Sequence, residues 1–292
     1  MPSRHALRAA LIWSSVGLLI CSRGAAAAIE PSWPSDPAQP QDHLEAAVGQ
    51  PTVCPLLSRE YGVLLLEDTR HILTAPIHWK TREWMLAGAG TGAVIGVAAV
   101  LDRPIQTAMQ RHRSQATNVI ARVFNPLGNE YAFIIPGGFY LAGIMGRNDT
   151  AKLVAQDAVA ATLVEAGMIT PILKLAIGRS RPKDDEGTDA FAPFHGKGVL
   201  PSGHTGQAFT LASVVTEHYH APWVKCAAYG TAGLVGFSRI VDNAHYTSDV
   251  MAGAVIGIIV GRAIVHLNTQ QRLRFSPLAD GNTNGLTAVY AF

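Results

Sequence analysis

What most constrains this chain is a series of apolar, Ala- and Gly-rich segments of helical length, at residues 84–101, 131–146, 151–177, 204–219, 223–237 and 248–267. Runs this long, rich in Ala, Leu and Met and free of period-two alternation, specify helices and argue against strands. They predict an all-α bundle. A membrane span needs roughly 20 apolar residues. Segment 151–177 carries Lys152, Asp157, Glu165 and Lys174, and only 84–101 and 248–261 approach that requirement. On these lengths a buried bundle of closely packed Gly- and Ala-rich helices is preferred to a set of spans.

The 292 residues are 48% hydrophobic and only 15% charged, which calls for extensive burial or a membrane surface. A net charge of +2 without any basic run argues against nucleic acid as a partner. Residues 1–28 join a basic start (Arg4, Arg8) to an apolar run and a string of small residues. This pattern predicts a signal peptide cut near Ala26–Ala28 and a protein exported to the periplasm or cell envelope, with an uncleaved anchor as the alternative. Residues 29–57, rich in Pro, Gln and Asp, form an arm, and 58–267 make up the helical domain, opening with an amphipathic helix up to Pro76. In 268–292, short apolar stretches flank ADGNTNG and predict a C-terminal β-hairpin. Beyond the leader, Cys54 and Cys226 could pair in an oxidising compartment, but Cys226 sits in an apolar helical stretch and is expected as a buried free thiol.

Three short stretches carry chemistry. In KLAIGRSRP, Lys174 and Arg181 are seven residues apart, close to two helical turns, so both cations can face one way before Pro182 ends the helix. Two cations without an acidic partner suggest an anion site. In LPSGHTGQ, Ser202 is placed to cap an apolar helix, Gly203 lets backbone approach a ligand, and His204 projects from the first turn. In SRIVDNAHYTSD, Arg239 adds a third cation. There His245 and Asp249 stand at i and i+4, so the carboxylate can hold one imidazole nitrogen and leave the other free. Three cations, an amide cradle, two histidines and an orienting carboxylate suit phosphoryl transfer, where positioning and charge neutralisation dominate and cations can stand in for a metal.

Other polar runs are expected to be bland. Asp184, Asp185 and Glu186 read as a solvated loop, Glu217–His220 as a frayed helix end, and Asp102 with Arg103 as a helix stop before Pro104. The segment from Lys183 to Leu200, with Phe191, Phe194 and His195, is expected to roof the site.

Across residues 84–267 the three stretches resemble the signature of the type 2 phosphatidic acid phosphatase family, which shares its fold with vanadium-dependent haloperoxidases. Lys174 is followed after six intervening residues by Arg181 and Pro182; Pro201, Ser202, Gly203 and His204 are contiguous; Ser238 and Arg239 are followed after five intervening residues by His245, and His245 after three by Asp249. The resemblance implies a helical bundle and a phosphohistidine formed on His245, with Asp249 orienting it. It implies that His204 serves the leaving oxygen and then the water, and that Lys174, Arg181, Arg239, Ser202 and the Gly203 amide hold the phosphoryl oxygens. A phosphorylated substrate, above all a lipid phosphate at a membrane surface, is the implied partner, and no metal or other cofactor is called for. Vanadate would act as an inhibitor, or as the cofactor in the alternative haloperoxidase reading. The short chain argues against that alternative. The presence of both histidines and Asp249 argues against a scaffold that only binds phosphate.

Overall fold

The computed structural model describes residue 56 and residues 58–129, 131–196 and 198–274, together with the backbone of two strands at 277–280 and 283–286. The expected signal peptide, nearly all of the arm and Cys54, with any pairing it makes, lie outside the described residues. The described chain is a helical bundle. Its helices are α1 (Arg59–Thr74), α2 (Thr81–Val100), α3 (Asp102–Arg111), α4 (Gln115–Phe124), α5 (Ile134–Met145), α6 (Asp149–Val164), α7 (Thr170–Ile177), α8 (Gly203–His218), α9 (Pro222–Val241) and α10 (Thr247–Arg274). A π-helical turn, Glu165–Ile169, joins α6 to α7 without a break. Local signals set several starts: the Ser58 hydroxyl accepts the Tyr61 amide at 3.2 Å, and the Asn148 side chain accepts the Ala151 amide at 3.0 Å.

Helix α8 lies at the centre, packed on α6, α9 and α10. One core cluster joins α6 (Val154, Ala158, Ala161, Val164) to α8 (Leu211, Val214) and α10 (Val260, Ile264); a second joins α8 (Phe209, Ala212) to α9 (Tyr229, Ala232, Val235). The α8–α10 contact is backbone on backbone. Gly253, Gly257 and Gly261 share one face of α10, and a Cβ at these positions would strike the carbonyl oxygens of Ser202, Gly206 and Thr210 respectively. Small residues at this spacing let two helices approach more closely than any side chain allows.

The preference for burial over membrane spans is corrected here. No residue of α2 is buried, although the helix is apolar on every side, with Trp84, Met85, Ile95 and Val100 exposed. Three helical stretches, Thr81–Val100, Asp149–Ile177 and Thr247–Gln271, are long and apolar enough to cross a membrane. A helix apolar all round needs an apolar medium, and the other described residues do not supply it here. Two of the charges that argued against a span in 151–177 are turned inward. Asp157 and Glu165 are fully buried; Asp157 lies 2.8 Å from His218 Nε2 and accepts from Asn268 at 2.8 Å, and Glu165 accepts from Thr170 at 2.7 Å. Inward-facing, partnered charges are compatible with a span.

Cys226 is exposed on α9 rather than buried. Helix α10 continues to Arg274, past the domain boundary placed at 267. Beyond it, Pro277–Asp280 pairs antiparallel with Thr283–Leu286 along the backbone. The turn needed to make these strands the expected hairpin, residues 281 and 282, lies outside the described residues.

Candidate active site

The second and third signature stretches meet where the N-terminal ends of α8 and α10 are latched together, the Ser202 amide donating to the Asp249 carbonyl at 2.9 Å. Ser202 occupies the N-cap position of α8 and is fully buried, but its hydroxyl does not accept a helix amide as expected; it lies 2.9 Å from the Thr205 hydroxyl. The first stretch reaches the same place through Lys174: a Cβ on Gly203 would stand 3.3 Å from the Lys174 ammonium. The missing side chain at 203 therefore leaves the cation beside the start of α8. His204 is pinned from outside by Gly128, where a Cβ would come within 2.7 Å of the His204 carbonyl oxygen.

Two spacing arguments reach the right neighbours by the wrong route. Helix α7 ends at Ile177, followed by Gly178 in the left-handed conformation (φ 65°), so Arg181 lies beyond it in extended backbone and shares no helical face with Lys174. His245 likewise precedes α10, which begins at Thr247. Asp249, in the first turn of α10, accepts from the Tyr246 amide at 2.9 Å, the reciprocal half of a capping box. His245 Nδ1 is 3.6 Å from Asp249 Oδ2, within electrostatic reach and too long for a hydrogen bond.

The electrostatics are those of an anion site. Lys174 is half-buried, Arg181 exposed, and Arg239 partly covered, bonded to Asn125 Oδ1 and 3.7 Å from Asp242. Burial first, then the charges of Arg239, His245, Lys174 and Arg181, pull the His204 imidazole down to about 3. Burial also lowers His245, which is 6% exposed; Asp249 opposes this, while Arg239 and Lys174 add to it. Both rings are therefore neutral at ordinary pH. An oxyanion would see two imidazoles and three cations.

Behind the histidine lies a set of residues that the sequence reading left aside. Arg179, 1% exposed, donates to Asp249 Oδ1 at 2.7 Å and Asp102 Oδ2 at 2.8 Å, and Asp102 also accepts the Ser248 amide at 2.9 Å and its hydroxyl at 2.5 Å. The guanidinium is closed in by the Thr188 carbonyl and by the Tyr246 ring, 4.3 Å from its centroid. Burial works against the Arg179 charge, but Asp249 and Asp102 outweigh it and raise its pKa above the ordinary value. Asp102 does open a new helix, α3, as a stop signal would suggest, yet it is also the fully buried counter-ion of this cluster. Arg179 could have been suspected, since it lies inside the basic stretch; Asp102, 77 residues away, carries no local signal.

The loop expected to roof the site folds back on Gly178–Ser180. The Ala192 amide donates to the Gly178 carbonyl at 2.8 Å, Tyr246 donates its hydroxyl to the Gly187 carbonyl at 3.1 Å, and Phe191 and Phe194 stay exposed. Glu186 accepts from Ser180, and Glu217 pairs with Arg262 at 3.1 Å.

Residues 157–273 match the model of the PAP2 superfamily. Asp102, Asn125 and Gly128 lie outside the matched region. Among curated proteins, the lipid A 1-phosphatase of Porphyromonas gingivalis is 38% identical over 122 residues, covering 41% of this chain and 25% of the relative. The lipid A 1-phosphatase of Rhizobium johnstonii is 36% identical over 104 residues, 33% of this chain and 41% of the relative. The matched stretch thus spans between a quarter and about two-fifths of these relatives. Among solved structures, LpxE of Aquifex aeolicus superposes with a TM-score of 0.44 at 23% identity, covering 57% of this chain and 96% of that one. The PAP2-type phosphatidylglycerolphosphate phosphatase of Bacillus subtilis gives 0.38 at 19% identity, covering 73% and 98%.

Proposed function

We propose that this protein is a phosphoric ester hydrolase that removes phosphate from a lipid in the cell envelope through a phosphohistidine on His245. The observation that carries this reading is the convergence of two neutral imidazoles and three cations at the joined N-termini of α8 and α10. Asp249 faces Nδ1 of His245, which leaves Nε2 as the nucleophile. Nε2 forms a bond to phosphorus as the bond from phosphorus to the ester oxygen breaks. His204 gives its proton to that leaving oxygen. Water then attacks phosphorus, the P–N bond breaks, and His204 takes the proton from the water. A neutral His204 cannot begin as an acid. The substrate dianion, by reversing the sign of its surroundings, raises its proton affinity and lets it arrive protonated. Lys174, Arg181 and Arg239 hold the phosphoryl oxygens with the Gly203 amide and Ser202, and Arg179 with Asp102 holds Asp249.

In this reading the three cations carry out the charge neutralisation, no metal or other cofactor takes part, and vanadate acts as an inhibitor at the phosphate position. The names of the curated relatives favour the 1-phosphate of lipid A as substrate. The helices long enough to cross a membrane favour a bilayer-borne substrate, and the leader pattern favours a site on the exported side. The test is phosphate release by the full chain in detergent with EDTA present, across lipid A, phosphatidic acid and soluble monoesters, beside His245→Ala. We expect release that survives EDTA and falls to background in the variant. Loss on chelation, or an active variant, would sink the mechanism.

A further inference from the structure

An apolar groove of about 520 Å3 runs between α5, α8 and α9. Along α8 its wall extends from Ala208 to Tyr219, roughly 17 Å at 1.5 Å per residue. That matches one leaflet of a bilayer whose hydrocarbon core is about 30 Å thick. Phe139, Ala212, Val215 and Ala228 line its length, and Leu127 with Val235 close one end. At that end Gly128 is pressed between Val235 and His204: a Cβ there would meet a Val235 methyl at 2.7 Å and the His204 Cβ at 2.8 Å. The groove therefore begins at the back of the His204 wall.

Chemistry selects the occupant. An extended peptide would bring amides and carbonyls that this carbon lining cannot satisfy, whereas a polymethylene chain brings none. The neighbouring Phe133, Leu141 and Trp223 are exposed apolar side chains, so the groove lies among surfaces suited to lipid rather than water. The reaction supplies the direction. In an in-line displacement the leaving oxygen departs opposite His245, on the side of His204, where the groove starts.

We propose that the groove between α5, α8 and α9 holds one acyl chain of the lipid from which phosphate is removed, a statement that rests on the phosphatase reading above. Seating the chain aligns the leaving oxygen with His204, so binding energy far from phosphorus is used to orient the reacting atoms.

The test compares phosphatidic acids of sixteen- and four-carbon chains and p-nitrophenyl phosphate, using the full chain in nanodiscs. Thr231→Trp and Ala228→Leu, which fill the groove from an exposed and a half-buried position of α9, are assayed beside the unaltered protein. We expect kcat/KM on the long-chain lipid to fall about tenfold or more, the cost of misplacing a reacting atom by around an ångström. Rates on the two short substrates should stay within about twofold. Unchanged long-chain rates, or a parallel loss on all three substrates in variants with unaltered melting temperature, would overturn the proposal. Should the unaltered protein hydrolyse none of them, nor lipid A, the phosphatase reading fails and the groove is judged by lipid binding alone. Fluorescence of the native Trp223, which lines the groove, taken as the difference between the unaltered protein and Trp223→Phe, should be quenched more by phosphatidic acid with brominated chains than by brominated phosphatidylcholine at equal mole fraction. Equal quenching by the two lipids would refute it.

Discussion

Removing the Asp102 carboxylate should damage a site that its residue never touches. In the intact protein Arg179 is shared between Asp102 at 2.8 Å and Asp249 at 2.7 Å, with all three side chains at 1% exposure or less. Asp102→Ala leaves a buried guanidinium with one counter-ion and strips the Ser248 amide of its acceptor. Breaking one side of a buried ion pair costs about 3–5 kcal/mol. Asp102→Asn keeps an oxygen for the amide but removes the charge and turns an NH2 toward Arg179 Nη2 and the Ser248 hydroxyl, so a loss on the order of 1–3 kcal/mol is expected for it too. Both substitutions leave Arg179 to Asp249 alone. A carboxylate neutralised by its own arginine supports His245 less, and kcat should fall about tenfold or more, toward the lower range for groups that assist proton transfer. The assay is thermal melting in nanodiscs with steady-state kinetics, run as a cycle of Asp102→Ala, Arg179→Met and the double variant. Coupling of about 2 kcal/mol is expected, within the range for contacting residues. Additivity within about 0.5 kcal/mol, or kcat unchanged in Asp102→Asn, would refute the placement of Asp102 behind the nucleophile.

Two more outcomes follow from the same geometry. His204 is held near 3 when folded, against about 6.5 unfolded, so the unfolded chain binds more protons between these values and stability must drop as pH falls through that window. At pH 5 the difference is about 2 kcal/mol, so His204→Gln should melt higher than the unaltered protein at pH 5 and not at pH 8; equal shifts at both would contradict it. Gly257→Ala would drive a methyl into the Gly206 carbonyl and to 2.9 Å of the Thr210 amide, backbone that cannot turn aside. A loss of about 1–3 kcal/mol, the cost of overpacking, is expected in the melting curve, and a neutral result would mean that α10 can move off α8 freely.

Most helical segments, though not α3 or α4, and the eight candidate site residues could be named from the chain alone because both signals are local. Composition without alternation makes a helix wherever it occurs, and Lys174, Arg181, Ser202, Gly203, His204, Arg239, His245 and Asp249 sit in short stretches of fixed spacing. How those stretches meet was not local. Helical periodicity was invoked to align Lys174 with Arg181 and His245 with Asp249, yet α7 stops at Gly178 and α10 starts after His245. Turns and the Ser202–Asp249 backbone latch bring them together instead. Whether an apolar helix such as α2 is covered by protein or by lipid is likewise invisible in its composition, since either medium accepts the same side chains. Only the packing around it shows that none of the other described residues covers it. Asp102 is the limiting case: one carboxylate at a helix start, ordinary in sequence, becomes the counter-ion of Arg179 because folding brings it across 77 residues into a space closed to water.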